Sequence, residues 1–243
     1  AGQFFYQHAL KLLSNAEEIK CMTARIGIVE RSIKIGFVAS LLYGLLSKII
    51  YVFRQQQPNL KVELIEMSTF EQIQALKQGK IDVGFGRLRI SDPHIKRILL
   101  REEPLVLAVH QSHVLAQKQC VTFAQLEQEQ LFLYPKSQEA NFATQVQSIF
   151  AEHGLTPKNL KVVREIQLAL GLVAAEGMCI VPESAKSIQL AHVKYIPIID
   201  HDATSPVFMA IRHLDTADDL RALFDCIYQV YDLEAIQYER AVL

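Results

Sequence analysis

Apolar and polar positions alternate along this chain with two periods, and each change of period marks an element. Residues 3–30 place Phe4, Phe5, Ala9, Leu12, Leu13, Ala16, Ile19, Met22 and Ile26 mostly three or four apart. That is the stripe of an amphipathic helix with coiled-coil character. Such a stripe needs something to lie against, and self-association is the economical solution. Ile33, Ile35 and Phe37 then alternate as a strand. Leu42, Leu45, Leu46, Ile49, Ile50 and Phe53 return to helical spacing. Ser40 stands between the two, where a helix N-cap is expected.

Strand and helix patterns continue to alternate. Lys61–Glu66 reads as a strand. Ser68 and Glu71 have capping-box spacing and open a helix that stops at Gly79. Ile81–Phe85 is the next strand, and Arg97–Leu100 and Leu105–His110 read as two more. A second set follows: a short strand Leu131–Tyr134, a helix from Phe142 to Gly154, a strand Val162–Arg164 and a helix Ile166–Ala175. Cys179–Val181, Tyr195–Ile199 and Val207–Ile211 are strands, and Asp215 or Thr216 is expected to cap a last helix. Strands separated by helices of this length imply βαβ units and a parallel sheet.

Two α/β lobes after an opening helix are therefore expected. Ligands of open α/β sheets bind beyond the C-terminal strand ends. Ser40, Ser68/Thr69, Asn141-Phe142 and Glu165-Ile166 occupy such positions. Strand ends that feed helix N-termini present free N–H groups and a positive dipole end, which suit a carboxylate or phosphate.

Composition narrows the function classes. Half of the 243 residues are apolar, enough for a sizeable core. The formal net charge is -1, from 25 basic and 26 acidic residues, so no basic surplus marks a nucleic-acid binder. Cys21, Cys120, Cys179 and Cys226 are widely spaced with no CxxC, which suits free thiols in a reducing compartment. No apolar run reaches transmembrane length. The first residue is alanine, and the opening pattern reads as a helix already under way, so a preceding segment is expected.

Catalytic signatures are absent: no G-x-S-x-G, P-loop, G-x-G-x-x-G or H-E-x-x-H. His110 and His113 could share a metal, but no acidic or thiol partner is near in sequence, so they read as solvated surface. Arg101, Glu102 and Glu103 read as an ordinary salt-bridged boundary. Hydroxyls at helix starts with apolar neighbours point to a binding module for a small organic acid. Neither an enzyme nor a metal or other cofactor is expected.

The opening Gly2-Gln3-Phe4-Phe5-Tyr6, the strand and turn Ile35-Gly36-Phe37-Val38, and Leu76-Lys77-Gln78-Gly79-Lys80-Ile81-Asp82-Val83-Gly84-Phe85 resemble the linker helix and effector-binding domain of LysR-type transcriptional regulators. Ser40-Leu41-Leu42-Tyr43-Gly44-Leu45-Leu46, Gly84-Phe85-Gly86-Arg87-Leu88, Leu133-Tyr134-Pro135, Asn141-Phe142 and the run from Arg164 to Ala175 resemble more narrowly the members that control aromatic (benzoate/catechol) catabolism. The similarity covers essentially the whole chain.

That resemblance implies a periplasmic-binding-protein-like (type 2) fold of two Rossmann-like lobes. Residues 1–31 would be the linker and dimerisation helix, 32–102 with 205–243 lobe I, and 103–204 lobe II. It implies an effector such as cis,cis-muconate, or benzoate, between the lobes, lined by Ser40, Leu41, Thr69, Asn141, Phe142, Ile166 and Val207. Leu46, Arg87, Arg101, Glu103 and Tyr231 would form a second aromatic pocket with its charge network. It further implies a cytoplasmic activator that assembles as a dimer or tetramer. Promoter DNA would be met through a winged helix-turn-helix domain upstream of Ala1, and RNA polymerase is a further partner that the family allows. Three departures bear on the effector: Ser47 and Ala140 stand where the resembled members have proline, and a glycine is missing before Glu176. A periplasmic-type solute-binding protein for small organic acids is the alternative.

Overall fold

A computed structural model describes residues 1–26 and 31–241 of the chain. In chain order, α1 (Gly2–Ile26) precedes β1 (Ser32–Phe37), α2 (Leu45–Gln56), β2 (Lys61–Glu66), α3 (Thr69–Lys77) and β3 (Val83–Gly86). The long β4 (Ile95–His110) follows. Then come α4 (Phe123–Leu126), β5 (Gln130–Leu133), α5 (Phe142–Glu152), β6 (Asn159–Val162), α6 (Ile166–Val173), β7 (Met178–Pro182) and β8 (Val193–Pro197). The chain closes with β9 (Thr204–Arg212) and α7 (Asp218–Leu233). These elements form two compact units: Ala1–Arg101 with Val207–Leu243, and Glu102–Pro206. The chain passes from one to the other within β4 and again within β9.

In the first unit β1 is central, with β2 and β3 parallel on either side and β9 antiparallel to β3. Burial on both faces explains the apolar character of β3 and β9, whereas β2 at the sheet edge keeps exposed polar positions. One core holds Ile33, Ile35, Val83, Val207, Met209 and Ile211 against residues of α2 and α7 such as Phe53 and Leu223. A smaller one holds Ile73 and Leu76 of α3 with Ile81, Ile95 and Ala210. Arg212, Asp82 and Asp215 are buried together. The Arg212 guanidinium meets Asp215 at 2.7 Å and Asp82 at 3.1 Å, and donates to the carbonyls of Ile81 and Leu76.

In the second unit β5 lies parallel between β6 and β7, and β4 runs antiparallel to both β7 and β8. Leu105, Leu107, Leu131, Phe132, Phe150, Leu170 and Ile180 are buried. Cys179 is buried as well, which drives its thiol pKa upward, and burial pushes Cys226 of the first unit up to about 11. Neither is an activated thiolate.

Three local expectations are corrected. Ser40 does not cap a helix. It sits in a 3-10 turn, Ala39–Leu41, and α2 starts only at Leu45 after Gly44, with no side-chain cap. Asp215 and Thr216 do not cap α7 either; its N-cap is Ala217, and the Asp215 carboxylate is engaged by Arg212. The two strands expected at Arg97–Leu100 and Leu105–His110 are one strand of 16 residues. Pro104 removes one donor, and hydrogen bonding resumes at once as the Leu105 amide donates to Ala203 O at 2.8 Å.

Along α1, the side chains of Phe4, Phe5, Tyr6, Leu12, Leu13 and Ile19 are exposed. Residues 27–30 of the expected opening helix, and the side chains of Met22, Ile26 and Cys21, lie outside the described residues. No helix among the described residues is long and apolar enough to cross a membrane.

Candidate functional site

In the first unit, candidate residues gather where β1 and β3 end. Gly36, Gly84 and Gly86 let the start of α3 lie directly on the sheet. A Cβ on Gly84 would fall 2.6 Å from Gln72 Oε1, and one on Gly86 2.7 Å from Thr69 Oγ1. The Gln72 amide fills that space and donates to the carbonyls of Met67 and Phe85. Ser68 and Glu71 close the reciprocal capping box read from sequence. It fixes the first turn of α3 and places Thr69, which is buried, against Gly86.

The residue after Gly86 completes this group. Arg87 is 3 % exposed, and its Nε donates to Ser40 Oγ at 3.0 Å. The cation thus lies behind the hydroxyl. With a lone pair of Oγ taken by Arg87, the Ser40 hydroxyl proton is free to be donated outward. Gly86 pairs with Phe208 of β9, so Val207 lies one residue beyond that pair. Ser40, Thr69 and Val207 therefore converge on the Gly86-Arg87 step. Leu41 is buried in the core beneath them.

In the second unit, Asn141 and Phe142 open α5. Asn141 Oδ1 accepts from the Thr144 amide at 3.2 Å, and Thr144 Oγ1 accepts from the Asn141 amide at 2.8 Å. Asn141 Nδ2 donates to Glu139 O, which orients the amide. Phe142 is buried, with its ring 5.2 Å from that of Tyr134. Ile166 is the buried first residue of α6, after Glu165, which provides no side-chain cap. The free N–H groups of α5 and α6 are the chemistry offered here.

The residues of the second expected pocket divide between the units. Leu46 of α2 and Tyr231 of α7 are buried in one core, and the Arg101 guanidinium lies 5.8 Å from the Tyr231 ring. Glu103 belongs to the second unit, where it is buried and accepts from the Ser184 amide at 2.7 Å. Sequence reading missed the Arg87–Ser40 bond: 47 residues separate the partners, and no local pattern announces it. His110 and His113 are not joined. Their Nδ1 atoms face Ser112 Oγ and the Leu115 amide. Among the described residues no group of three or more His, Cys, Asp or Glu could hold a metal.

A hydroxyl backed by a buried guanidinium, an adjoining helix start and apolar neighbours is anion-binding chemistry without a reacting pair. Comparisons with known proteins place the chain in a family. The family described as the LysR substrate binding domain matches residues 28–232. The chain is 52 % identical over 236 residues to the HTH-type transcriptional regulator BenM of Acinetobacter baylyi, covering 96 % of this chain and 78 % of that protein. It is 36 % identical over 231 residues to the regulator CatR of Pseudomonas putida, covering 94 % and 79 %. The solved BenM effector binding domain with its effector benzoate superimposes with a TM-score of 0.86 at 49 % identity, over 89 % of this chain and 99 % of that one. These relatives are transcriptional regulators rather than enzymes, and the chain belongs to the family of LysR substrate-binding domains.

Proposed function

We propose that this chain is the effector-sensing and oligomerisation region of a LysR-type transcriptional regulator of aromatic catabolism, and that its effector is a small carboxylate such as cis,cis-muconate or benzoate. The observation that carries this reading is the buried Arg87 guanidinium behind the Ser40 hydroxyl, in a chain half identical to BenM. A carboxylate at Ser40 and the start of α3 would meet a hydroxyl donor, helix N–H groups and a nearby cation. Asn141, Phe142 and Ile166 of the second unit, and Val207 of the first, are further candidates for effector contact. Leu46, Arg87, Arg101 and Tyr231 of the first unit offer an aromatic carboxylate a ring-lined and charged environment.

The exposed apolar side chains of α1 support self-association to a dimer or tetramer. Promoter DNA is contacted by a helix-turn-helix domain preceding this region, in the cytoplasm. The effector biases regulation only as far as it binds one arrangement of the protein better than another. No observation favours the solute-binding alternative.

Thermal unfolding with and without cis,cis-muconate, benzoate and aliphatic dicarboxylates tests this function. The chain has no tryptophan, so calorimetry or an added dye is the readout. Saturation at 100 times the dissociation constant adds about 2.7 kcal/mol, a clear rise in Tm. A rise with muconate or benzoate supports the reading, and no response to any of these acids overturns the effector class.

A further inference from the structure

Beyond α7 the chain turns back on the helix it has just left. Ala235 takes a positive φ of 53°, the left-handed conformation that glycine usually supplies at a helix end. The Ile236 amide donates to Tyr231 O at 2.9 Å and the Ala235 amide to Asp232 O at 3.2 Å, which closes α7 as a Schellman motif. Ile236, Tyr238 and Ala241 then pack against the core that holds Leu46 and Tyr231. The Tyr238 ring centroid lies 4.8 Å from that of Tyr228 and 5.6 Å from that of Tyr231. The Arg101 guanidinium lies 5.8 Å from the same Tyr231 ring. Tyr231 is thus a neighbour of both Arg101 and the returning segment.

This segment is held differently from the helices beneath it. Residues of α2 and α7 such as Phe53 and Leu223 meet in the buried core. The segment is fastened largely from outside. Tyr238 Oη donates to the exposed Asp232 carboxylate at 2.6 Å, Arg240 meets Asp225 at 3.0 Å with both side chains more than half exposed, and Glu234 meets the exposed Lys48. Exposed ion pairs of this kind contribute little. Tyr231 and Leu46 are only 1 % and 5 % exposed, so an aromatic acid reaches them only when a covering element moves. Local opening begins where buried apolar contacts are fewest. Here that is the returning segment rather than α2 or α7.

We propose that residues 234–241 form a strap that gates the aromatic pocket at Tyr231, with Tyr238 as its latch. An aromatic carboxylate enters beside Arg101 when Tyr238 lifts from Tyr231, and the strap folds back over it. This inference rests on the reading that Leu46, Arg101 and Tyr231 take such an acid, and adds to it the element that controls access.

The test is fluorine NMR exchange of fluorobenzoate with the whole chain and with Y238A, Y238F and A235G. Y238A removes the ring packed on Tyr228 and Tyr231. It should speed both association and dissociation about two- to tenfold, the worth of one such aromatic contact. Y238F loses only the bond to Asp232 and should speed them less; it serves if Y238A fails to fold. A235G relieves the positive φ, holds the strap down and should slow both rates. Unchanged rates in the folded variants would overturn the strap and leave the pocket reading standing. R101Q separates the two: if fluorobenzoate does not bind, or binds R101Q as well as wild type, the pocket reading falls and the strap with it.

Discussion

Arg87 Nε and Ser40 Oγ are 3.0 Å apart, and this bond turns a turn residue into an oriented donor in front of a buried cation. Ser40→Ala removes one neutral donor and should weaken the carboxylate effector by about 1 kcal/mol, whereas Arg87→Gln removes the charge and should cost about 1.5–3 kcal/mol. Titration calorimetry with the effector ranks the two. If Ser40→Ala binds as well as wild type, Ser40 does not touch the ligand.

Gly86→Ala sets a methyl 2.7 Å from Thr69 Oγ1 and 3.1 Å from Thr69 Cγ2. Thr69 is the first residue of α3, held by the Ser68–Glu71 box, so it has little room to yield. Overpacking of this kind costs about 1–3 kcal/mol, and denaturant unfolding should show that loss. Effector affinity should fall with it as α3 is pushed off the sheet. A variant as stable as wild type would mean that the contact between α3 and the strand is slack.

The buried Arg212 answers two carboxylates. Asp215→Ala leaves that cation half-compensated and should destabilise the chain by about 3–5 kcal/mol. Chemical denaturation gives the number. A change under 1 kcal/mol would mean that water or Asp82 takes up the charge.

In the second unit, His153 Nε2 lies 2.9 Å from Asp202 Oδ1. The hydrogen bond that His153 donates to Asp202 is the largest influence on it and raises its pKa above the ordinary 6.5. Partial burial pushes Asp202 up, but the His153 bond, its own backbone N–H and nearby charge carry it below the ordinary 3.8. A raised histidine contributes stability below its unfolded pKa and loses it as pH rises through the folded one. A depressed aspartate contributes above its unfolded pKa and loses it as pH falls through the folded one. Both conditions hold between 3.8 and 6.5. The Tm gap between wild type and His153→Gln should therefore be widest between pH 3.8 and 6.5 and shrink as pH rises above that window or falls below it. A gap independent of pH would rule out the charged pair.

What was readable in the sequence is what neighbouring residues decide. The Ser68–Glu71 box lies within one turn, and Gly79 and Gly154 end α3 and α5 with positive φ values of 66° and 69°, so both helices could be placed. Ser40 and Asp215 look like caps by the same local rule. Each is claimed instead by an arginine, Arg87 from 47 residues away and Arg212 from three residues back. The place of Val207 beside the Gly86-Arg87 step depends on β9 returning to β3, which alternation alone does not reveal.

The second unit is one uninterrupted stretch, Glu102–Pro206, whereas the first is finished by Val207 onward. β3 waits for β9, and α2 waits for α7 to cover Phe53 and Ile49. During synthesis the chain emerges N-terminus first. The later-made middle is thus complete as it leaves the ribosome, while the earlier-made strands stay half-covered until the last few dozen residues appear. A premature stop before β9 would leave Ser40 and Thr69 without the strand that completes their sheet while the middle stretch folds, a fragment able to bury one core and not the other.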